Sequence, residues 1–542
     1  MNQEQVNNYL DLTPEHFEFA NKQGRIYDKK IETKSVGYFA DALSRFRKNK
    51  ASVVAAFIIL LIVIYAITIP LIFNGPQNNA MDPFYKSNPS RMIWFKENLG
   101  ILDGGMDFDK NENAIIQEYA KAVGAEYDGT TVLPISAIFD SEYNPVIKVN
   151  SIQEIKQGFN VNTIYNARID QYLTFGFIER YLTDDQYDSI VAWQEKTGKQ
   201  VLYPLIEVNE YSFYKGASSA GIVDENYWYK VTGKGVPVRV EKSTNANGEV
   251  VENVVQLKYS DDLVLEDNYM RDAEGNLVYR KFVGNSAGSQ YKVRVLYYNY
   301  YQYTYGTTPD YLFGTDLQGY DLAVRMAEGI QLSLILAVCV SLINFVIGAI
   351  YGAVEGYYGG TADLIMERVK DILSGIPFIV AATLFQIYLA KLPEVGPVGS
   401  LIFAFIVTGW IGTSSRVRSQ FYRFKHQEYV LAARTLGARD RRIIWKHIFP
   451  NTLGTIITSS VLVIPSVIFS ESMLSFLGIM SLGNADGTSL GTLLSDASKD
   501  WVDRPHLMLW PALVISLLMI CFNLFGNGLR DAFNPSLRGV EE

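Results

Sequence analysis

Residues 428–451 read EYVLAARTLGARDRRIIWKHIFPN and lie between two strongly apolar runs. Ala432, Ala433, Leu436 and Gly437 fall at helical spacing, so small side chains share a face and admit a close neighbour. Gly437 suits a helix end in the left-handed conformation. Asp440 then caps a second short helix with Ile443, Ile444 and Ile448 as its apolar stripe, and Pro450 stops it. Five arginines and lysines lie within the stretch. The expected shape is a helix–turn–helix at a membrane face. An interfacial amphipathic helix that merely obeys the positive-inside rule accounts for the same residues.

The apolar runs on either side, and others along the chain, read as membrane spans, since a helix needs roughly 20 apolar residues to cross the hydrocarbon core. Six runs qualify: 51–73, 329–354, 374–390, 398–412, 453–470 and 507–526. The third and fourth are short, which leaves a buried core helix or a re-entrant hairpin open for them. Met1 to Lys50 is too long and polar to be the front of a signal peptide, so the first run is expected to stay as a span.

Lysine and arginine near the span ends set the orientation. SRFRKNK, 44–50, directly precedes the first span, and the 413–452 loop carries nine basic and two acidic residues. Both agree with cytoplasmic N- and C-termini. Residues 74–327 then lie outside the cytoplasm, with 34 acidic and 23 basic side chains in a chain of net charge −9. Both cysteines, Cys339 and Cys521, fall inside spans. At about 250 residues the external region is large enough to fold without disulfides. Phe39, Leu43 and Phe46, beside Arg45, Arg47 and Lys48, suggest an interfacial helix ahead of the first span.

The external region reads as mixed α and β. NENAIIQEYAKAVG, 111–124, has helical character. Thr183 and Gln186 form a capping-box pattern opening a helix over 183–198. VPVRVEK and VENVVQLKYS flank STNANGE as a hairpin, and LVLEDNYM and LVYRKFV flank RDAEGN as another. YKVRVLYYNYYQYTYG, 291–306, alternates as a strand, with Val293, Val295, Tyr297, Tyr301, Tyr303 and Tyr305 on one face. That face either packs on a neighbour or offers an aromatic binding surface.

The chain has no GxxxxGK[ST] phosphate loop, no H-E-x-x-H and no cysteine pair at metal spacing. Its four histidines are scattered. No catalytic residue and no metal site is expected. Polar groups within or near spans are Glu471, Asn344 and Gln386, candidates for a translocation path. Glu471 is placed near the outer end of its span, where snorkelling to water is the alternative. Pro465 and Pro511 are candidate hinges.

The 428–451 stretch resembles the EAA loop of permease subunits of ATP-binding-cassette importers. It keeps Ala432, Ala433, Gly437 and Pro450, and departs at Leu431 and Phe449. The longer AARTLGA…HIFPN is similar to the dipeptide/oligopeptide branch. Residues 41–73 look like the N-terminal segment of its C-type permeases, and FGTDLQGYD, 313–321, resembles another element, with Tyr320 where arginine is usual. GYYGG, 356–360, VKDILSGIP, 369–377, and SESMLSFLG, 470–478, complete the series in order. Asp82 and Pro83 are followed by roughly 230 extra residues before Phe313, tolerable when the ends of an insertion lie close together.

The resemblance implies an α-helical membrane protein with a type I ABC importer transmembrane domain of about six spans. A mixed α/β extracytoplasmic domain is inserted between spans 1 and 2. The expected organisation is a cytoplasmic segment 1–50, a first span 51–73, an insert 84–308, a permease core 313–530 with its loop at 413–452, and a tail 531–542. Ala432, Ala433, Arg434, Leu436, Gly437, Ala438, Arg439 and Pro450 would form the coupling loop that docks on an ATPase subunit. The chain itself would hold no cofactor, with ATP and Mg on the partners. Implied partners are a second permease, two ATPase subunits, an extracytoplasmic substrate-binding lipoprotein and membrane lipid, but not nucleic acid. Peptides are the implied cargo in the cell membrane. Nickel chelates, glutathione or sugars are alternatives, as is a binding or sensing protein anchored by a permease-like core.

Overall fold

A computed structural model describes residues 38–73, 81–111, 143–157, 160–212, 225–226, 228–232, 236–244, 248, 250–257, 265–285, 288–480 and 488–533. The helix expected at 111–124 and the termini before 38 and after 533 lie outside them, apart from Asn111.

The chain enters through α1 (Tyr38–Lys48) and α2 (Lys50–Ile72). Asn49 caps α2, its Oδ1 accepting from Ser52 N at 3.3 Å. Ala42 and Phe46 of α1 are buried, and Phe46 packs edge-on against Phe525 at 5.5 Å. The expected interfacial helix is therefore held partly against protein.

The insert comes next, as α3 (Ile93–Leu99), β1 (Gly105–Asn111), β2 (Val146–Gln157), β3 (Asn160–Asp170), β4 (Phe177–Leu182), α4 (Asp184–Thr197), β5 (Leu202–Tyr203), β6 (Val238–Thr244), β7 (Val250–Gln256), β8 (Arg280–Asn285), β9 (Gly288–Leu296) and α5 (Tyr297–Tyr305). Among the described residues, all the strand pairs are antiparallel. β3 lies between β1 and β2, β9 pairs with β4, β5 and β8, and β6 pairs with β7. The capping box of α4 is present in full between Thr183 and Gln186.

Two sequence readings of this region need correction. The strand expected over 291–306 ends at Leu296, and Tyr297–Tyr305 is helical. Tyr297, Tyr301 and Tyr305 recur every four residues, a spacing that also lines one face of a helix. Tyr297 and Tyr301 are buried rather than displayed, with the Tyr297 hydroxyl donating to Asp82 Oδ2 at 2.6 Å. The second hairpin forms only a short turn, Val278 N donating to Met270 O, because β8 gives its ladder to β9.

The two ends of the insert meet. Arg91 N donates to Tyr311 O at 2.9 Å and Tyr311 N to Arg91 O at 2.8 Å. Asp82 N donates to Gly319 O, Ser87 N to Asp316 O and Thr315 N to Asn88 O. Gly319 and Gly314 have φ of +92° and +86°, and a Cβ on them would stand 1.9 Å from Asp82 O and 2.2 Å from Asn88 O. Arg91, nearly fully buried, lies 3.3 Å from Asp170 and against the rings of Tyr172 and Tyr298.

The helical core follows as α6 (Leu322–Tyr358), α7 (Gly360–Ser374), α8 (Phe378–Tyr388), α9 (Gly396–Gly409), α10 (Ile411–Phe424), α11 (Glu428–Thr435), α12 (Asp440–Arg442), α13 (Phe449–Val461), α14 (Val463–Phe476), α15 (Leu490–Ala497) and α16 (His506–Phe533), with a π-helical segment at Ile443–Ile448. Among the described residues, five helices are long and apolar enough to cross a membrane: Lys50–Ile72, Leu322–Tyr358, Gly396–Phe424, Asp440–Phe476 and His506–Phe533. A sixth arises if α7 and α8, bent by 71° at their junction, count as one span. Pro377 sits at that bend, where its ring disfavours helical geometry in Ile376.

Two boundaries differ from the sequence reading. The fourth span continues to Phe424, so the connecting loop begins after it rather than at 413. The fifth begins at Asp440 because Pro450 does not stop the helix. The π turn at Ile443–Ile448 widens the backbone just ahead of Pro450, where a proline ring would otherwise collide with the carbonyl four residues back.

Candidate functional site

The 428–451 segment is built onto the ends of α6 and α10. Those helices approach at backbone contact. A Cβ on Gly352 would stand 2.2 Å from Ser414 O, and one on Gly356 2.7 Å from Phe421 Cβ. Lys425 Nζ donates to Gly356 O at 3.1 Å and ties the exit of α10 to α6. Beyond it, Val430, Ile443, Ile444 and Ile448 are buried against Ala353, Tyr357, Val417 and Phe421. These residues give the hairpin an apolar root, the stripe that the isoleucine spacing anticipates.

The turn between α11 and α12 is a Schellman motif. Gly437 N donates to Arg434 O and Ala438 N to Ala433 O, both at 3.0 Å. Gly437 has φ +80°, and a Cβ added to it would meet nothing within 4 Å, so backbone conformation alone selects glycine there. Arg439 is the residue that precedes α12, and Asp440 opens it. Asp440 accepts the Tyr357 hydroxyl at 2.6 Å, and Arg434 Nη2 donates to the same hydroxyl oxygen at 3.4 Å. A tyrosine of α6 thereby fixes both arms of the hairpin.

The other face is bare. Leu436, at the tip, is 88 % exposed, and Tyr429, Leu431 and Trp445 are exposed around it. Ala432, Arg439, Arg441, Arg442 and Lys446 are exposed, while Ala433 and Ala438 are half-buried. The result is an exposed apolar knob on a rooted turn, in a segment whose exposed charges are mostly cations. Such a surface can seat in a cleft of another protein, where burying a leucine contributes roughly 1.5–3 kcal/mol.

Behind the hairpin lies a charge network that sequence reading missed. Lys370 is 2 % exposed and contacts Glu355, itself fully buried, at 2.9 Å and Glu367 at 2.8 Å. Arg418 donates to both oxygens of Asp363 at 2.5 and 2.7 Å. Glu355, Asp363 and Glu367 lie close enough together to hold a metal ion. Lys370 and Arg418 already place positive charge among them. The network joins α6, α7 and α10, and only the helical placement of 355, 363, 367 and 370 around one bend brings these groups together.

The polar residues singled out within spans are scattered. Glu471 is 1 % exposed and hydrogen-bonded to serines, so it does not snorkel to water. Asn344 is buried, with Nδ2 3.5 Å from Phe405 O. Gln386 Nε2 donates to Pro397 O at 2.9 Å and braces α8 against the start of α9. Pro465 lies in the first turn of α14, just after the helix break at Leu462, and Pro511 lies inside α16. Nothing brings these residues to the 428–451 hairpin.

A bundle of helices long and apolar enough to cross a membrane, with a rooted helical hairpin whose second arm runs on into one of them, is in keeping with a multi-pass membrane permease subunit. Comparison with known proteins agrees. Residues 347–539 match the family described as binding-protein-dependent transport system inner membrane component, and residues 37–89 match the N-terminal TM domain of oligopeptide transport permease C. The dipeptide transport system permease protein DppC of Bacillus subtilis is 42 % identical over 236 residues, 42 % of this chain and 70 % of that protein. The oligopeptide transport system permease protein OppC of the same organism is 39 % identical over 229 residues, covering 42 % and 73 %. OppC of Haemophilus influenzae is 42 % identical over 233 residues, covering 42 % and 71 %. The chain belongs to the binding-protein-dependent transport system inner membrane component family, in its permease C branch. The two family matches leave residues 90–346, with all of the insert beyond its first few residues, between them.

Proposed function

We propose that this chain is a permease subunit of an ATP-driven importer of dipeptides or oligopeptides. It forms the translocation path with a second, related permease and docks on separate ATPase subunits through the 428–451 hairpin. The observation that carries this reading is the hairpin itself: an exposed Leu436 at the tip of a Schellman turn whose root is packed against α6 and α10. An anchor or a sensor has no use for a rigid apolar knob beyond its spans. ATP and Mg belong to the partners, and the peptide class follows from the relatives' names.

In this reading the hairpin face is cytoplasmic, in keeping with its basic residues. Both termini then lie in the cytoplasm, and the insert stands outside, tied to the outer mouth of the bundle. Arg504 supports that placement, its Nη1 donating to Ser87 O beside the start of α16. There the insert meets an external peptide-binding lipoprotein and orients it over the path.

Purification from native membrane in mild detergent, with mass spectrometry of what accompanies the chain, tests the proposal. A second permease, phosphate-loop ATPases and a peptide-binding lipoprotein are expected. Recovery of the chain alone, or with unrelated envelope proteins, overturns it.

A further inference from the structure

Glu471 lies in α14, far from the docking hairpin. Its carboxylate is in the membrane-crossing part of the molecule and makes no ion pair among the described residues. Hydroxyls surround it instead. Ser333 Oγ of α6 donates to Oε2 at 3.0 Å, Ser475 Oγ of α14 to Oε1 at 3.1 Å, and Ser472 Oγ to Oε2 at 3.4 Å. Ser489, the N-cap of α15, lies beside this group, with the next turn of α15 packed on Ser472 and Ser475. Ser489 Oγ accepts from Thr492 N at 3.1 Å as the N-cap of α15. Three helices thus converge on one buried carboxyl group, beside the first turn of α15.

Packing around this point is tight. A Cβ on Gly491 would stand 2.6 Å from Ser472 Cα and 2.8 Å from Ser475 Cβ. One on Gly329 would stand 3.0 Å from both Ser489 C and Leu490 N. The first turn of α15 is therefore wedged between α6 and α14. Glu471 is too enclosed to touch a passing solute in this arrangement.

Its position along the chain links it to the hairpin. Asp440–Phe476 is one candidate span of 37 residues. The docking hairpin leads into one end of it, and Glu471 lies near the other, 31 residues on, or about 45 Å along an α-helix. The helix break at Leu462, with Pro465 beyond it, separates the two ends.

We infer that Glu471 is a positioning residue: it latches α15 to α6 and α14 at the outer end of the rod whose inner end is the docking hairpin. This rests on the permease reading and its orientation. Movement of the hairpin on ATP binding is carried along α13 and α14, draws Glu471 away from Ser333 and Ser489, and frees α15 so that the outer mouth opens. Between cycles the latch keeps that mouth shut and keeps hydrolysis waiting for the loaded receptor.

The test uses the whole complex, with both permeases and ATPases, in lipid nanodiscs. Receptor-stimulated hydrolysis by the unaltered complex is measured first. Its absence defeats the permease reading and is distinct from any failure of the latch. Glu471→Ala is expected to raise receptor-independent hydrolysis roughly ten-fold, as loss of its buried hydrogen bonds shifts the closed–open balance. Glu471→Gln, which keeps the shape and one strong acceptor, is expected to fall between. Ser333→Ala removes only the α6 arm and is expected to give a smaller rise. The Glu471→Ala, Ser333→Ala double variant should exceed Glu471→Ala by nothing, because both act on one contact. A general loss of packing would instead add the two effects. Unchanged receptor-independent hydrolysis in assembled Glu471→Ala complexes overturns the latch. If that variant fails to assemble, unchanged hydrolysis in Ser333→Ala overturns it equally.

Discussion

Gly437 offers the most discriminating perturbation. Its φ of +80° belongs to the left-handed region, and a Cβ there meets nothing within 4 Å. Substitution therefore collides with no neighbour, and its whole local cost is conformational. For an ordinary L-residue that cost is about 1–2 kcal/mol, somewhat less for asparagine and more for a β-branched side chain. Relief of the strain requires the turn to unwind. The Gly437 N–Arg434 O and Ala438 N–Ala433 O bonds are then lost, and Leu436 leaves its place at the tip. About 1–2 kcal/mol is a factor of roughly 5–30 in the population of correctly formed hairpins. The buried root, Val430 with Ile443, Ile444 and Ile448, is untouched, so the chain still folds and inserts. In proteoliposomes with receptor and ATPases, Gly437→Val is expected to cut uptake about ten-fold or more. Gly437→Ala should cut it several-fold, and Gly437→Asn least. The order of the three variants matters more than any single value. Wild-type uptake by Gly437→Val, or an order that follows side-chain volume instead of left-handed propensity, refutes the reasoning.

Leu436→Ala removes an apolar knob that touches little of its own chain, so thermal stability should not change while ATPase affinity falls by about 2 kcal/mol, measured by titration of the detergent-solubilised permease pair. Gly319→Ala is expected to be far more damaging than Gly437→Ala, because its Cβ would meet the Asp82 backbone oxygen at 1.9 Å; limited proteolysis should cut the base of the insert rapidly in that variant. Replacing 92–310 by a short turn should leave the helical core and its ATPase binding intact, since Arg91 and Tyr311 are already paired; size-exclusion chromatography with the ATPases reports this. Asp321 caps α6, accepting from Ala323 N at 2.8 Å, and burial pushes its carboxyl up to about 6. Its ionised form is thus disfavoured in the fold, and stability falls as pH rises from about 4 through 6. Asp321→Asn keeps an acceptor without the charge, so it should gain on the order of 3 kcal/mol over wild type at pH 8 and nothing near pH 4, read by thermal unfolding.

What the sequence makes legible here depends on whether a feature is local. The apolar runs need only length, and they mark each membrane-crossing helix. Gly437 needs only its own backbone, so the turn between α11 and α12 can be read from one glycine after a helix-forming stretch. Pro450 misleads because the usual remedy, ending the helix, is replaced by a π turn at Ile443–Ile448 that no residue pattern announces. Tyr297, Tyr301 and Tyr305 are even-spaced and four-spaced at once, so alternation and helical periodicity both fit, and only the packing of Asp82 and Tyr85 against them decides. The contacts of Glu355 with Lys370 and of Arg418 with Asp363 depend on how α6, α7 and α10 are bent and set side by side. Glu471 is visible as an odd carboxylate in an apolar run, but its partner Ser333 and the neighbouring Ser489 come from helices far away in the chain.

We propose the 428–451 hairpin as the surface through which an ATPase drives this permease. A photo-crosslinking amino acid at position 436, in membranes that contain the whole complex, addresses it directly. One dominant adduct is expected, to a phosphate-loop ATPase subunit, and it should be lost when Gly437 is also changed to valine. Crosslinking to lipid alone, with no ATPase adduct while uptake is intact, would contradict the claim and leave the hairpin as an interfacial helix.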